Sequence, residues 1–175
     1  MNKQHLLTPY NKNISLKNRV VVAPMTRGRA DNEGNVPTDD LHGLYYEQRA
    51  SAGLIITEGA QVSLDAVGYI NTAGIHSDEQ VEGWKKVTKR VHDKGGKIFI
   101  QLWHVGRMSH PDFHNGALPL SASAINPNDK AFTPEGFKVT VTPREMTVAD
   151  IKTTVQDFQN AAINSVKAGF DGVEI

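Results

Sequence analysis

The chain has 175 residues, 39% hydrophobic and 22% charged, with 19 basic and 19 acidic side chains that cancel to zero formal net charge. The length suffices for one domain with a core, and the charge balance offers neither a basic surplus for nucleic acid nor a charged run for a membrane surface. Cysteine is absent, which excludes a disulfide framework or thiolate chemistry and fits a cytoplasmic protein; the start, Met1-Asn2-Lys3-Gln4-His5, lacks the apolar run of a secretory signal, and no stretch of about 18 apolar residues could span a membrane.

In chain order, the short pieces from Leu6 to Arg19 around Asn11-Lys12-Asn13 predict a small hairpin. Val20-Val21-Val22-Ala23 is β-branched and apolar, a first strand stopped by Pro24. Thr38, behind Pro37, is the expected N-cap of a helix from Asp39 to Ala52. Gly53-Leu54-Ile55-Ile56-Thr57 is the second strand, followed by Glu58-Gly59-Ala60. Ser77-Asp78-Glu79-Gln80 is a capping box opening a second helix that ends at Gly95-Gly96. Lys85, Lys86, Lys89 and Arg90 on that helix form a solvated face, because Asp78, Glu79 and Glu82 lie within the preceding turns.

Lys97-Ile98-Phe99-Ile100-Gln101-Leu102 is the third strand. A long connection rich in Pro, Gly, Asn and Ser then runs from Trp103 to Met146. Such a loop is functional or carries elements of its own, and Val139-Thr140-Val141 suggests a hairpin within it. After Thr147, Ile151, Val155, Phe158, Ala162 and Val166 recur at spacings of three and four, the apolar face of a third helix closed by Gly169. Gly172-Val173-Glu174-Ile175 is a fourth strand.

The first three strands are continuous apolar runs, so both faces should be covered, as in a parallel sheet. Strand and helix alternate, which implies right-handed parallel crossovers. The fold class is therefore α/β, the N-terminal half of a TIM (β/α)8 barrel: four strands, three helices, an N-terminal hairpin and a long excursion after the third strand. An open doubly wound sheet is the rival architecture, but no Gly-x-Gly-x-x-Gly follows any strand. Residues 1–175 read as a single incomplete barrel domain cut at the fourth strand. Four strands cannot close a barrel, and the first and fourth are left as edges that invite pairing. A split gene product, an artificial boundary and a half-barrel that pairs with itself or with a second fragment all explain this.

In such barrels chemistry gathers at the carboxyl ends of the strands. Those ends are Ala23-Pro24-Met25-Thr26-Arg27, Thr57-Glu58-Gly59-Ala60, Gln101-Leu102-Trp103-His104 and Glu174-Ile175. They hold no nucleophile–base pair. They do hold hydrogen-bonding groups (Thr26, Gln101), a small residue that lets backbone come close (Gly59) and an aromatic wall (Trp103). A primary amide donates and accepts at once, which suits a flat, polar, aromatic ligand, although the same residues could equally cap loops. His104, His110 and His114 share one loop, but they lack a third ligand in register and a carboxylate behind them, so no metal is expected.

Four blocks carry a resemblance: Leu16 to Arg27; Tyr45-Tyr46-Glu47-Gln48-Arg49-Ala50 with Gly53 to Glu58; Gln101 to Arg107; and Ala168 to Ile175. Together, in this order, they resemble the Old Yellow Enzyme, or NADH:flavin oxidoreductase, family. The resemblance implies a TIM barrel that binds FMN non-covalently, takes hydride from NADPH or NADH and reduces an activated alkene such as an enone. By the same match, Ala23, Pro24 and Met25 would lie along the flavin and Thr26 would place its hydroxyl near the reactive nitrogen. Gly59 would offer backbone to that edge, Gln101 would bind the pyrimidine edge, and Tyr69 and Trp103 would line the substrate side. The family's His-x-x-Asn or His-x-x-His pair would follow Ile175, and its proton-donating tyrosine and phosphate loops would come later, so no catalytic residue carries over. Two alternatives stand beside this reading: an inert half-barrel needing a second fragment or self-association, and a glycosidase barrel using Glu58 and Glu174 as a carboxylate pair.

Overall fold

The computed structural model describes residues 3–31 and 33–175; Met1 and Asn2, part of the start read for a secretory signal, lie outside the described residues. Its centre is a four-stranded, all-parallel sheet in chain order, β1 (Val21–Val22), β2 (Leu54–Gln61), β3 (Ile98–Trp103) and β4 (Gly172–Glu174). A π-helical turn, Asp39–Gly43, running into an α-helical turn, Leu44–Glu47 (together α1), lies between β1 and β2. Between β2 and β3 lies α2, Asp78–Asp93, and before β4 comes α3, Val148–Lys167. The expected N-terminal hairpin is present, Tyr10–Asn11 pairing antiparallel with Ser15–Leu16, and the long connection holds a hairpin of Lys130–Thr133 with Gly136–Val139, which takes in Val139 of the expected Val139-Thr140-Val141 and leaves Thr140 and Val141 outside. No helix among the described residues is long and apolar enough to cross a membrane.

The helices cover one face of the sheet. Along β3, Ile98, Ile100 and Leu102 are buried and join the helix-side core, while Phe99, Gln101 and Trp103 are half-buried on the other face. The expectation of two covered faces is thus corrected. The sequence run is apolar on both sides, but within these residues only the helix side has a packing partner. Trp84 of α2 is the hub of that side, fully buried, with its indole N–H donating to Gly74 C=O at 2.9 Å and its ring meeting His42, Tyr46 and Phe170.

Three other expectations change. The first strand contracts to Val21–Val22, because it has one neighbour, β2, and Pro24 offers no N–H to extend the ladder; Val21 is 47% exposed. The first helix does not run from Asp39 to Ala52. Thr38 C=O accepts from both His42 N–H and Gly43 N–H, which widens the first turn, and the chain leaves the helix after Glu47 in tight turns. Thr38 takes the N-cap place but its side chain caps nothing.

The third helix begins at a capping box of Thr147 and Asp150, yet the apolar row expected to be buried faces outward in part. Ile151, Val155 and Val166 are 50%, 64% and 76% exposed. The inward face is instead Ala161 and Ser165, with Phe158 and Ala162 partly buried. Small side chains let the helix lie close to the sheet. Spacing identifies a helical face but not whether that face has a partner. On α2 the capping box of Ser77 and Gln80 is present as expected. The basic face is solvated and paired with Glu82, Asp93, Asp39 and Glu47.

Polar ties fasten the layers. Asn164 Nδ2 donates to Ile75 C=O at 3.0 Å and Thr88 Oγ1 to Ala168 C=O at 2.6 Å, seating α3 on α2. Lys17 Nζ, next to the N-terminal hairpin, donates to the carbonyls of Gly95, at 3.0 Å, and Ala50. At the start of β4, Asp171 Oδ2 accepts from Ile98 N–H at 2.8 Å and lies 2.9 Å from His92 Nε2, while Oδ1 lies 3.4 Å from Lys97 Nζ. Burial pushes this carboxyl up, but the Ile98 N–H, His92 and Lys97 outweigh it and hold it below the usual carboxylate range.

A group with a depressed folded pKa stabilises the fold above its unfolded value, about 3.9 for Asp, and that stability disappears as pH falls through the folded value. Asp171→Asn is therefore expected to cost about 1 kcal/mol at neutral pH and to flatten the acid limb of Tm against pH below about pH 4. Thermal melts of both proteins from neutral to acid pH check this; parallel acid limbs would contradict it.

Candidate functional site

The geometry of the strand ends is set by one irregularity in β2. Ile55 pairs with Ile98 and Ile56 with Phe99, but the next matched pair is Gly59 with Gln101, so β2 carries one residue more than β3 between these points. This is a β-bulge. Without it, side-chain alternation would send Glu58 to the open inner face with Ile56, and Gly59 to the helices. With it, Gly59 shares the inner face with Gln101 and Trp103, and Ala60 returns to the helix-side core. Thr57 mends the interrupted ladder. Its hydroxyl accepts from Gln101 N–H at 3.2 Å and donates to Glu58 C=O at 2.7 Å.

On the inner face the groups lie side by side. A Cβ on Gly59 would stand 2.4 Å from Trp103 Cδ2, so the indole lies directly against the glycine and no larger residue fits. Tyr69 stacks on Trp103 with centroids 6.0 Å apart and planes at 22°. Glu174, paired in register with Gln101, shares this face, since Val173 packs into the opposite core. Trp103 Nε1 and Glu174 Oε2 are buried with no hydrogen-bond partner among the described residues, next to the half-buried Gln101. Buried orphans of this kind are rare and ask for a ligand or a further protein group.

The segment after β1 supplies the remaining predicted residues. Ala23, Met25 and Thr26 are exposed and Pro24 is half-buried. Arg27 anchors them, its N–H donating to Glu58 Oε2 at 3.0 Å and its guanidinium lying 4.7 Å from the Tyr45 ring centroid. Gly59, Gln101, Trp103 and Tyr69 are thus in one contiguous patch. Thr26 is joined to it through the bond from its neighbour, Arg27, to Glu58, with no contact of its own. The surface hollow beside Tyr69 is lined by Asn35, Leu64, Val67, Ile70 and Phe113 among others, and by none of the strand-end residues.

The loop histidines have separate partners. His104 Nδ1 accepts from Gly106 N–H, His110 Nδ1 lies 3.1 Å from Asp112 Oδ1, and His114 Nε2 is 2.8 Å from Ser109 Oγ. Burial pushes His104 and His114 below the usual histidine range. The glycosidase reading loses its geometry, because Glu58 and Glu174 lie on opposite faces of the sheet, where they cannot flank one bond.

What the sequence reading missed is the setting of Glu58. It is fully buried between β2 and α1 with His42 and Tyr46. The signal was available in Thr38, His42 and Tyr46, which recur every four residues ahead of an acid in an apolar strand.

Gly59→Ala is expected to displace the indole, break the Tyr69–Trp103 stack and cost about 1–3 kcal/mol as an overpacked site. Near-UV circular dichroism with a thermal melt checks it; an unchanged aromatic spectrum would show that the indole does not rest on Gly59.

Comparison with known proteins agrees with this architecture. The model of the NADH:flavin oxidoreductase / NADH oxidase family matches residues 6–175. The chain is 44% identical over 174 residues to 12-oxophytodienoate reductase 1 of Oryza sativa subsp. japonica, with 97% of this chain and 44% of that protein covered. It superposes on the structure of the old yellow enzyme homologue from Zymomonas mobilis with a TM-score of 0.90 at 42% identity, covering 96% of this chain and 47% of the other. A structure of morphinone reductase in complex with tetrahydroNAD matches equally well, with a TM-score of 0.90 at 43% identity, 96% and 48% covered. The chain thus spans about half the length of the relatives it matches, and its four-stranded sheet is the first half of their barrel. It belongs to the NADH:flavin oxidoreductase / NADH oxidase family.

Proposed function

We propose that these residues form the flavin-gripping half of an FMN-dependent NAD(P)H oxidoreductase of the ene-reductase type, acting on a small activated alkene. One observation supports the reading: the bulge brings Gly59 and the half-buried Gln101 together on the inner face, beside the buried and unpartnered Trp103 Nε1 and Glu174 Oε2. Free donors and acceptors at the rim of an aromatic wall suit a flat heterocycle with alternating N–H and C=O groups.

Gln101 would bind the pyrimidine edge, and Thr26, whose hydroxyl has no partner among the described residues, would bond the carbonyl near the reactive nitrogen. Ala23, Pro24 and Met25 would pack along the ring and Gly59 would lend backbone to its edge. Tyr69 and Trp103, already stacked, would wall the substrate side and exclude water from it. When bound, FMN would supply the hydride relay from NADPH or NADH to the β-carbon of an enone-like substrate. The cytoplasmic assignment rests on the cysteine-free sequence.

A second reading is that residues 1–175, taken as one incomplete domain, bind nothing alone and need a second fragment or a second copy. The outward Ile151, Val155 and Val166 of α3 and the exposed Val21 favour it.

Titration of FMN into the chain, followed by flavin absorbance and quenching of flavin fluorescence, is expected to give saturable binding. Gln101→Leu and Thr26→Ala should each weaken it about tenfold or more, the cost of leaving a flavin polar atom unpaired. A chain that binds only when mixed with the remaining half-barrel supports the second reading. Absence of flavin in that completed barrel would dismiss the first.

A further inference from the structure

Glu58 is a fully buried acid that the proposed flavin contacts do not use. Its side chain is fully buried on the helix side of the sheet, and so are those of His42 and Tyr46. Tyr46 Oη accepts from Glu58 N–H at 2.9 Å and donates to Oε1 at 3.4 Å. Burial first, and then the adjacent Glu58, push the Tyr46 phenol well up, so it keeps its proton. His42 Nδ1 accepts from Thr38 N–H at 3.2 Å, which assigns the ring proton to Nε2. Nε2 lies 3.0 Å from Glu58 Oε1, a close polar approach with the N–H turned off the line of a good hydrogen bond. The second oxygen, Oε2, accepts from Arg27 N–H at 3.0 Å.

A buried carboxylate is costly unless donors surround it, and it would be simplest to exclude it. Here the two donors come from different parts of the chain, Tyr46 from α1 and the Arg27 amide from the segment that follows β1. That segment is otherwise exposed at Ala23, Met25 and Thr26. Its neighbouring β1 ladder is two residues long, too short to fix a loop five residues further on. The Arg27–Glu58 bond, 3.0 Å long, ties Thr26's neighbour into the core.

We propose that Glu58 is a positioning residue, turned by the bulge of β2 to the helix side so that Tyr46, with the His42 ring packed beside it, holds its carboxyl where it fixes the Arg27 amide and thereby presents Thr26 at the flavin edge. The inference rests on the flavin reading for its purpose, but the positioning itself is measurable without flavin. The device needs all three parts. The bulge aims the carboxyl, the phenol bonds one oxygen with the imidazole packed against it, and the other oxygen reaches the loop. A regular β2 would point the same acid into the inner face, against the polar rim of the ligand.

The test is site-resolved amide hydrogen exchange on the flavin-free full chain and on Glu58→Gln, followed by FMN titration of both. In the natural chain the Arg27 amide should exchange at least about tenfold more slowly than its exposed neighbours Met25 and Thr26. In Glu58→Gln, the carboxamide sets an N–H donor against the Tyr46 phenol or against the Arg27 amide. Arg27 protection should then fall about tenfold to a hundredfold, while amides in the middle of α2, such as Val87 and Val91, stay as protected as before. FMN affinity should drop with it. An unprotected Arg27 amide in the natural chain overturns the proposal, whether or not the variant folds. So does a folded Glu58→Gln variant with unchanged Arg27 exchange. A protected Arg27 in a chain that never binds FMN keeps the positioning and removes only the flavin reading.

Discussion

The extra residue in β2 between Ile56 and Gly59 governs everything at the strand ends. Side chains alternate along a strand, so inserting one residue reverses the facing of all that follow. Ile55 and Ala60 both reach the helix-side core although their numbering would place them on opposite faces. Between them the irregularity separates an acid, sent into the helix layer, from a glycine, kept on the inner face. The cost is an interrupted ladder, and the Thr57 hydroxyl offsets it by taking the Gln101 N–H. A single backbone event therefore sets the electrostatics of one face and the packing of the other.

Two aromatic groups stand on either side of this sheet. Trp84, with Tyr46, His42 and Phe170 around it, closes the helix side completely. Trp103 and Tyr69 stack on the inner side but leave an indole N–H unpaired. The contrast is chemical. Trp84 has its hydrogen bond to Gly74 and is finished as a core residue, whereas Trp103 is packed but polar-unsatisfied, the condition of a wall that still awaits a ligand or a neighbour.

Much of the fold was legible because its signals are local. The capping box at Ser77 and the apolar period after Thr147 marked two helix starts, and three apolar runs marked strands. Turn-rich stretches marked both hairpins. What escaped depends on partners distant in sequence. The outward face of α3 has the same spacing as a buried face, and Ile151 or Val155 carries no mark of which it is. The π-turn at Asp39 arises from Thr38 C=O serving two donors, and it sits under Arg90, which bridges Asp39 and Glu47 from the next helix. The candidate site was legible as a set of residue types at strand ends, and family resemblance supplied their roles. The facing of Glu58 was not legible, since one additional residue in a strand leaves no trace in an apolar pattern that reads as continuous. Glu58 was thus weighed as an acid at a strand tip when it belongs to the layer beneath.

The ties that seat α3 and β4 also bear on how the chain acquires its shape. Asn164 reaches Ile75 across 89 positions, Thr88 reaches Ala168 across 80, and His92 reaches Asp171 across 79. Closing loops of that size costs entropy before any contact compensates it, and parallel pairing offers no short hairpin as a shortcut. Within the stretch from β1 to α2 the separations are shorter, from the 12 between Tyr46 and Glu58 to the 51 between Arg90 and Asp39. Loop-closure entropy therefore weighs heavily on the carboxyl-terminal quarter, whose contacts with α2 and with Ile75 ahead of it bridge such long separations.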